Sequence, residues 1–364
     1  MRSITTAIDS HKLGKDPLAE KLEGPFTRPL NYPRIWLELS RLGIDVSKTA
    51  ILAHWQIFLF LAGMLVFPPK DLSWPCVGVM MLATFSPATV LGMERGNNDL
   101  LMFFMMAIAI ICFQSSRFWK QVAGTAVVFF SFILKLYPIF AMSILLGTSQ
   151  RKFLRSDVLV LIMAMIYVWI YRHDLELIYL ATPKSTGISY GMNVLWMELS
   201  EHGRVLGLLA HILAWVGVVV TAAVTFLGYA SVSSDFDQPQ TNKKILASFR
   251  VGAAIYGGTF LLGNNWDYRL VFLIFTLPLL MQLAMKGEVR NRWIAGIVVF
   301  CIMFSLWSIA LYQIFILFPF GSETCVLFDE CANWLIFIGL GYLFGASLPR
   351  WLRRDVQSLA EAHL

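Results

Sequence analysis

Residues 205–229 read VLGLLAHILAWVGVVVTAAVTFLGY, a run without a single lysine, arginine, aspartate or glutamate. As a helix rising 1.5 Å per residue it is about 37 Å long, enough to cross roughly 30 Å of hydrocarbon. Within a bilayer each backbone N–H and C=O must be satisfied inside the protein, so such a run is helical. Comparable apolar stretches occupy 49–67, 74–92, 98–114, 121–134, 136–148, 157–171, 245–262, 268–285, 293–315 and 332–349. The composition agrees, with 57% hydrophobic and 14% charged residues where a soluble domain carries about 25% charged. Mean hydropathy is +0.66. The short alternating segments of a transmembrane barrel are missing from the sequence. The expectation is an all-α, polytopic transmembrane helical bundle of about eleven membrane segments. It comprises an extracytoplasmic amino-terminal loop (1–48), a helical domain (49–349) and a basic cytoplasmic tail (350–364).

Charge sets the orientation. With residues 1–48 outside, fourteen basic residues fall on inner segments: Lys70, Arg117, Lys120, Arg151, Lys152, Arg155, Lys243, Lys244, Lys286, Arg290, Arg292, Arg350, Arg353 and Arg354. Six fall on short outer ones: Arg95, Lys135, Arg172, Lys184, Arg204 and Arg269. That asymmetry follows the positive-inside rule, and it holds only if 121–148 crosses twice. A break at Lys135-Leu136-Tyr137-Pro138 supplies the second crossing, since Pro138 has no backbone donor and disfavours helix at Tyr137. The net charge of +6 is thereby accounted for by topology, and no nucleic-acid partner is expected.

The same orientation brings the polar interruptions to one face. Glu94-Arg95-Gly96-Asn97-Asn98-Asp99, Lys135 with Tyr137, the loop 172–204, Asn264-Asn265-Trp266-Asp267-Tyr268-Arg269 and the loop 316–331 all emerge outside. Charged and amide groups beside hydrocarbon are costly and mark candidate sites. Bland alternatives stand beside each. Arg95 suits a side chain snorkelling to headgroups. Asp267 and Arg269 suit a mutual pair at a helix start. Asn31-Tyr32-Pro33 suits a turn anchor, and residues 1–48 as a whole read as an ordered, turn-rich loop.

Taken together, Asn31-Tyr32-Pro33-Arg34, the Glu94–Asp99 run, Lys135-Leu136-Tyr137-Pro138 and Asn265-Trp266-Asp267-Tyr268-Arg269 ahead of an apolar helix with Pro278 resemble the GT-C superfamily of integral-membrane glycosyltransferases. The closest likeness is to family 87, the polyprenol-phosphate-mannose-dependent transferases, and it spans about residues 4–350. The resemblance implies transfer of a hexosyl residue, mannosyl above all, from a polyprenyl-phosphate carrier to a lipid or glycan acceptor. It implies no cofactor, no metal, and a site on the extracytoplasmic face of a bacterial plasma (inner) membrane. The pattern departs from the family at its start: such enzymes begin with a membrane helix, and an acidic residue in the next outer loop acts as catalytic base. Asp16 and Asp9 are the remaining candidates for that base here.

The chemistry points to the same residue types. Moving a glycosyl group from phosphate to a hydroxyl needs a carboxylate to take the hydroxyl proton and donors to stabilise the departing phosphate. Arg95, Lys135 and Arg269 are the candidate phosphate cations, since guanidinium is bidentate and lysine a point charge. Glu94, Asn97, Asp99, Tyr137, Asn265, Asp267, Asn31 and Tyr32 complete the candidate donor-phosphate and substrate-binding set. A lipid-linked-sugar transporter, or a catalytically inactive homologue, is the alternative. His54, His173, His202 and His211 lack the spacing of metal ligands. Cys325 and Cys331 flank one short outer segment, where a disulfide is allowed. Thr186–Asn193 and Trp196 offer hydroxyls and an aromatic platform to a sugar, or helix caps and a belt residue. Residues 231–244 read as a solvated linker, and the tail from Arg350 as a lipid-surface anchor.

Overall fold

The structure is a computed structural model describing residues 1–22, 27–69, 72–115, 117–147, 150–231, 234–237, 242–349 and 351–352. In chain order its helices are α1 (Arg2–Lys12), α2 (Thr49–Val66), α3 (Trp74–Thr84), α4 (Pro87–Glu94), α5 (Asp99–Gln114), α6 (Phe118–Leu134), α7 (Gln150–Ile170), α8 (Arg172–Ala181), α9 (Val194–His202), α10 (Arg204–Ala230), α11 (Ser234–Asp237), α12 (Lys243–Leu261), α13 (Leu277–Lys286), α14 (Val289–Phe315) and α15 (Gly321–Ala346). Tighter 3-10 segments cover Arg34–Leu42, Val46–Lys48, Tyr137–Gly147 and Asp267–Thr276. Two short strands, β1 (Ser189–Tyr190) and β2 (Asn265–Trp266), pair antiparallel.

Among the described residues, five helical stretches are long and apolar enough to cross a membrane: Val46–Val66, Arg204–Ala230, Asp267–Lys286, Val289–Phe315 and Glu323–Ala346. Counting two bent pairs as one span each makes seven. The all-α helical class therefore stands, with five to seven candidate spans among the described residues where the sequence suggested eleven. The stretches expected at 98–114, 121–134 and 136–148 are shorter apolar helices, Asp99–Gln114, Phe118–Leu134 and Tyr137–Gly147. The stretch at 74–92 is α3 and α4 bent by 45°. Pro87 cannot continue α3's hydrogen bonding, and the hydroxyls of Ser86 and Thr89 take up the carbonyl of Ala83 at 2.8 and 3.0 Å. Residues 158–170 and α8 form the second pair, bent by 76°.

Contacts divide the chain into two compact units. The first holds Met1–Val66, Gly92–Met142 and Leu154–Lys184. Here α2 packs on α5 and α5 on α6, with Phe60 against Phe103 at 4.9 Å between ring centroids. The amino-terminal segment is not the loop expected from its turns. Ile4, Ala7 and Ile8 recur at helical spacing and are fully buried on α1, and Thr5 joins Thr49 at the start of α2 by a 2.7 Å hydroxyl pair. After α6 the chain is extended at Lys135 (φ −163°, ψ 114°) and resumes as a 3-10 segment at Tyr137. The break therefore lies where Pro138 requires it.

The second unit holds Phe67–Leu91, Ser143–Phe153 and Ser185–Leu364. Its centre is α10 on α15, α15 on α14 and α12 on the 3-10 segment Asp267–Thr276. Gly345 lets α15 approach α10 so closely that a Cβ there would run into the backbone oxygen of Thr225. Arg250, buried within α12, donates to the backbone carbonyl of Ser347 and, at 3.4 Å, to its hydroxyl. A cation thus sits on the carbonyl end of α15, where the helix dipole favours it.

Further departures concern the expected loops. Segment 172–204 carries α8 and α9, and α15 begins at Gly321, so much of 316–331 is helix. Carboxylates at 323, 329 and 330 interrupt apolarity without interrupting helical hydrogen bonding, and a reading by apolarity cuts the helix short there. Cys325 and Cys331 are free thiols on α15. Six helical residues place them about 240° around and roughly 9 Å along the axis, which no disulfide spans. The loop at 231–244 contains α11, and α12 begins at Lys243. Lys70, Arg350, Arg353 and Arg354, and the tail other than Trp351 and Leu352, lie outside the described residues.

Candidate functional site

The Glu94–Asp99 run divides at Gly96. Glu94 and Arg95 are exposed, whereas Asn97, Asn98 and Asp99 are buried. Gly96 has φ +50°, and a Cβ there would press on Ala53 at 2.7 Å, so the turn that separates the two halves needs glycine. Its carbonyl and that of Arg95 accept from the Met1 amino group at 2.8 and 3.1 Å. Burial, aided by the charge of Lys135, pushes this amine down to about 5.

Asp99 opens α5, where a carboxylate suits the positive end of the helix. Lys135 donates to its Oδ1 at 2.5 Å and to Asn97 Oδ1 at 3.2 Å, and the Tyr137 hydroxyl donates to the same Asp99 oxygen. The ammonium lies over the rings of Tyr32 and Tyr137 at 5.4 and 5.7 Å. Side-chain exposure is 12% for Lys135 and 1% for Asp99, so the pair is well shielded from solvent. Tyr32 is positioned by Trp36, edge-on at 6.4 Å, whose indole N–H reaches the carbonyl of Leu134 at 3.0 Å. The amino-terminal segment is thereby pinned to the end of α6 next to Lys135.

Asp16 has a different setting. Both of its oxygens accept from Arg34, at 3.0 and 2.9 Å, and Arg34 Nε donates to Asp174 on α8 at 2.8 Å. The Arg34 hydrogen bonds hold the Asp16 carboxyl below the ordinary carboxylate range, against a smaller opposing effect of burial. That makes it a weaker proton acceptor than a free aspartate. Asp9 accepts from the backbone N–H of Val46 at 3.2 Å and faces Lys12 at 3.9 Å. Asn31 is half-buried beside Tyr32.

Asn265, Asp267 and Arg269 belong to the other unit. Pairing of Tyr190 with Asn265 and of Ser189 with Trp266 fixes them. Asn265 donates to the Thr259 carbonyl at 2.5 Å and accepts from Arg269. Tyr190 stacks on Tyr256 at 5.3 Å, and Tyr256 reaches the backbone and side-chain oxygens of Asn333 at 2.9 and 3.1 Å. Trp266 and Tyr268 stack in parallel at 6.3 Å. Asp267, Asp329 and Glu330 are all buried, and Asp267 Oδ1, Asp329 Oδ1 and Glu330 Oε2 have no hydrogen-bond partner among the described residues. Trp196 is part-exposed beside the His211 ring at 5.5 Å, and His211 accepts from Trp215 at 3.2 Å. Among the described residues no group of three or more His, Cys, Asp or Glu is placed to hold a metal ion.

Each unit thus gathers some of the candidate residues into a polar cluster, while Asp9, Asp16, Glu94 and Arg95 have other surroundings. Within the first, Tyr32, Asn97, Asp99, Lys135 and Tyr137 come together. Sequence reasoning did not find Gln56, Asp329, Glu330 or Arg250. Asp329 and Glu330 were hidden by their place in a supposed loop. Gln56 shares its otherwise apolar stretch with Thr49 and His54, and Arg250 is the only charged residue of 245–262, a signal legible as such. No protein-family model matches the chain, and no curated protein or solved structure matches it.

Proposed function

We propose that this protein is a membrane glycosyltransferase that moves a hexosyl residue, mannosyl above all, from a polyprenyl-phosphate donor to an extracytoplasmic lipid or glycan acceptor. The reading places it in the bacterial plasma membrane with the site facing away from the cytoplasm. The observation that carries it is the shielded Lys135 ammonium, held between two phenol rings and hydrogen-bonded to Asn97 and Asp99. A buried cation whose present anion is a carboxylate is suited to take a phosphate in its place. The acceptor oxygen forms its bond to the anomeric carbon as the bond from that carbon to phosphate oxygen breaks. The electron pair leaves on the phosphate beside Lys135, and a carboxylate takes the hydroxyl proton. Asp16 and Asp9 are the family-implied bases, and Asp99 is the carboxylate adjacent to the cation.

The test is reconstitution with radiolabelled polyprenyl-phosphate-mannose and a panel of acceptors. Lys135→Ala and Asp99→Asn should each lower transfer by about a hundredfold or more, and Asp16→Asn shows whether the amino-terminal carboxylate is the base. Transfer that survives all three substitutions removes this site. A transporter of lipid-linked sugars is the second reading, favoured by the two bent helix pairs and by the buried carboxyls of Asp329 and Glu330. Movement of the labelled lipid across vesicles without any transfer product would decide for it.

A further inference from the structure

On the buried face of α2, Gln56 precedes Phe60 and Gly63. It is 4% exposed, and Asn98, the residue before α5, is 1% exposed. One hydrogen bond joins them, from the Gln56 amide nitrogen to Asn98 Oδ1. It leaves Gln56 Oε1, an acceptor, and Asn98 Nδ2, a donor, both without a partner among the described residues. Each unmade bond in such surroundings costs about 1–3 kcal/mol. An apolar pair of the same shape avoids that cost, so packing alone does not account for two amides here.

The unused groups define what complements them. A hydroxyl both donates and accepts, and one hydroxyl or a neighbouring pair satisfies Gln56 Oε1 and Asn98 Nδ2 together. A phosphate only accepts and an ammonium only donates, so either leaves one amide atom bare. Asn98 also lies between Asn97 and Asp99, whose side chains engage Lys135. We propose that Gln56 and Asn98 form a subsite for the hydroxyls of the donor's sugar, next to a phosphate subsite at Lys135. This rests on the glycosyltransferase reading. Gln56 and Asn98 are then positioning residues that select a sugar-bearing lipid over the bare carrier.

Binding of labelled polyprenyl-phosphate-mannose and of labelled polyprenyl phosphate is measured in lipid nanodiscs for the wild type and for Gln56→Met. The wild type should prefer the mannose-bearing lipid. The variant should lose about tenfold for that lipid and little for the bare carrier, bringing the two affinities together. A preference that persists unchanged in Gln56→Met overturns the subsite alone, as it would if the amides held an internal water only. Absence of binding by either lipid in the wild type overturns the donor reading and the subsite with it. Should Gln56→Met not fold, the double variant Gln56→Met/Asn98→Leu, which strands no amide atom, gives the same comparison.

Discussion

Lys135 and Asp99 show how a single pair can serve both packing and chemistry. The two are 36 residues apart and meet at 2.5 Å with little solvent around them. Removing one partner of such a pair leaves a buried charge uncompensated, at a cost of about 3–5 kcal/mol, whereas removing both with apolar residues costs far less. Lys135→Met and Asp99→Leu should therefore each lower thermal stability markedly, and the double variant should recover much of the loss. Additive losses in that cycle would show that the groups do not depend on one another. Much of this cluster was legible as sequence, because Lys135 is flanked by apolar residues and Asp99 ends a polar run. The split inside that run was not. Whether a polar side chain next to a turn points inward or outward depends on Gly96, whose conformation only tertiary packing fixes.

The helix break at Pro138 was readable from the sequence, whereas the bend at Pro87 lay unread inside the stretch 74–92. Pro138 sits at the second position of the segment that follows the break, and Pro87 opens α4 after the bend. Helix starts were harder to read. α15 begins at Gly321, ahead of Asp329 and Glu330, because burial against α14 and α12 tolerates carboxyls that a hydropathy pattern rejects. Close approach between elements also leaves a weak trace, since Gly345 reads as one more small residue in an apolar stretch. Its role is steric. Gly345→Leu should push α15 off α10 and lower stability by about 1–3 kcal/mol, read as a lower unfolding midpoint in detergent. An unchanged midpoint would mean that the two helices are not held at the spacing described.

For the molecule as a whole, the hold on the amino-terminal segment carries a dependence on pH. It is fastened through Arg34 to Asp16 and to Asp174. Asp16 has a lowered pKa in the folded protein, so its stabilising effect is present above the unfolded value of about 4 and fades as the pH falls through the lower folded value. Proteolysis or amide exchange within residues 1–48 should therefore accelerate in acid, and Asp16→Asn should remove most of that pH dependence. An acid response unchanged in Asp16→Asn would place its origin elsewhere. The polytopic, helical character of the chain was legible in composition. The division into two units was not, because apolar stretches look alike whichever neighbour they bury against.

Arg250 has a consequence for the order in which this protein is made. α12 is not among the helices apolar enough to cross a membrane by composition, and an arginine at the centre of a span costs about 2.5–3.5 kcal/mol. Its partner, the carbonyl of Ser347, lies 97 residues further along the chain. At about 5–20 residues per second, roughly 5 to 20 s of synthesis separate the two. During that interval the contact between the Arg250 guanidinium and the end of α15 does not yet exist, so α12 reaches its final surroundings only once the ribosome has passed through α15.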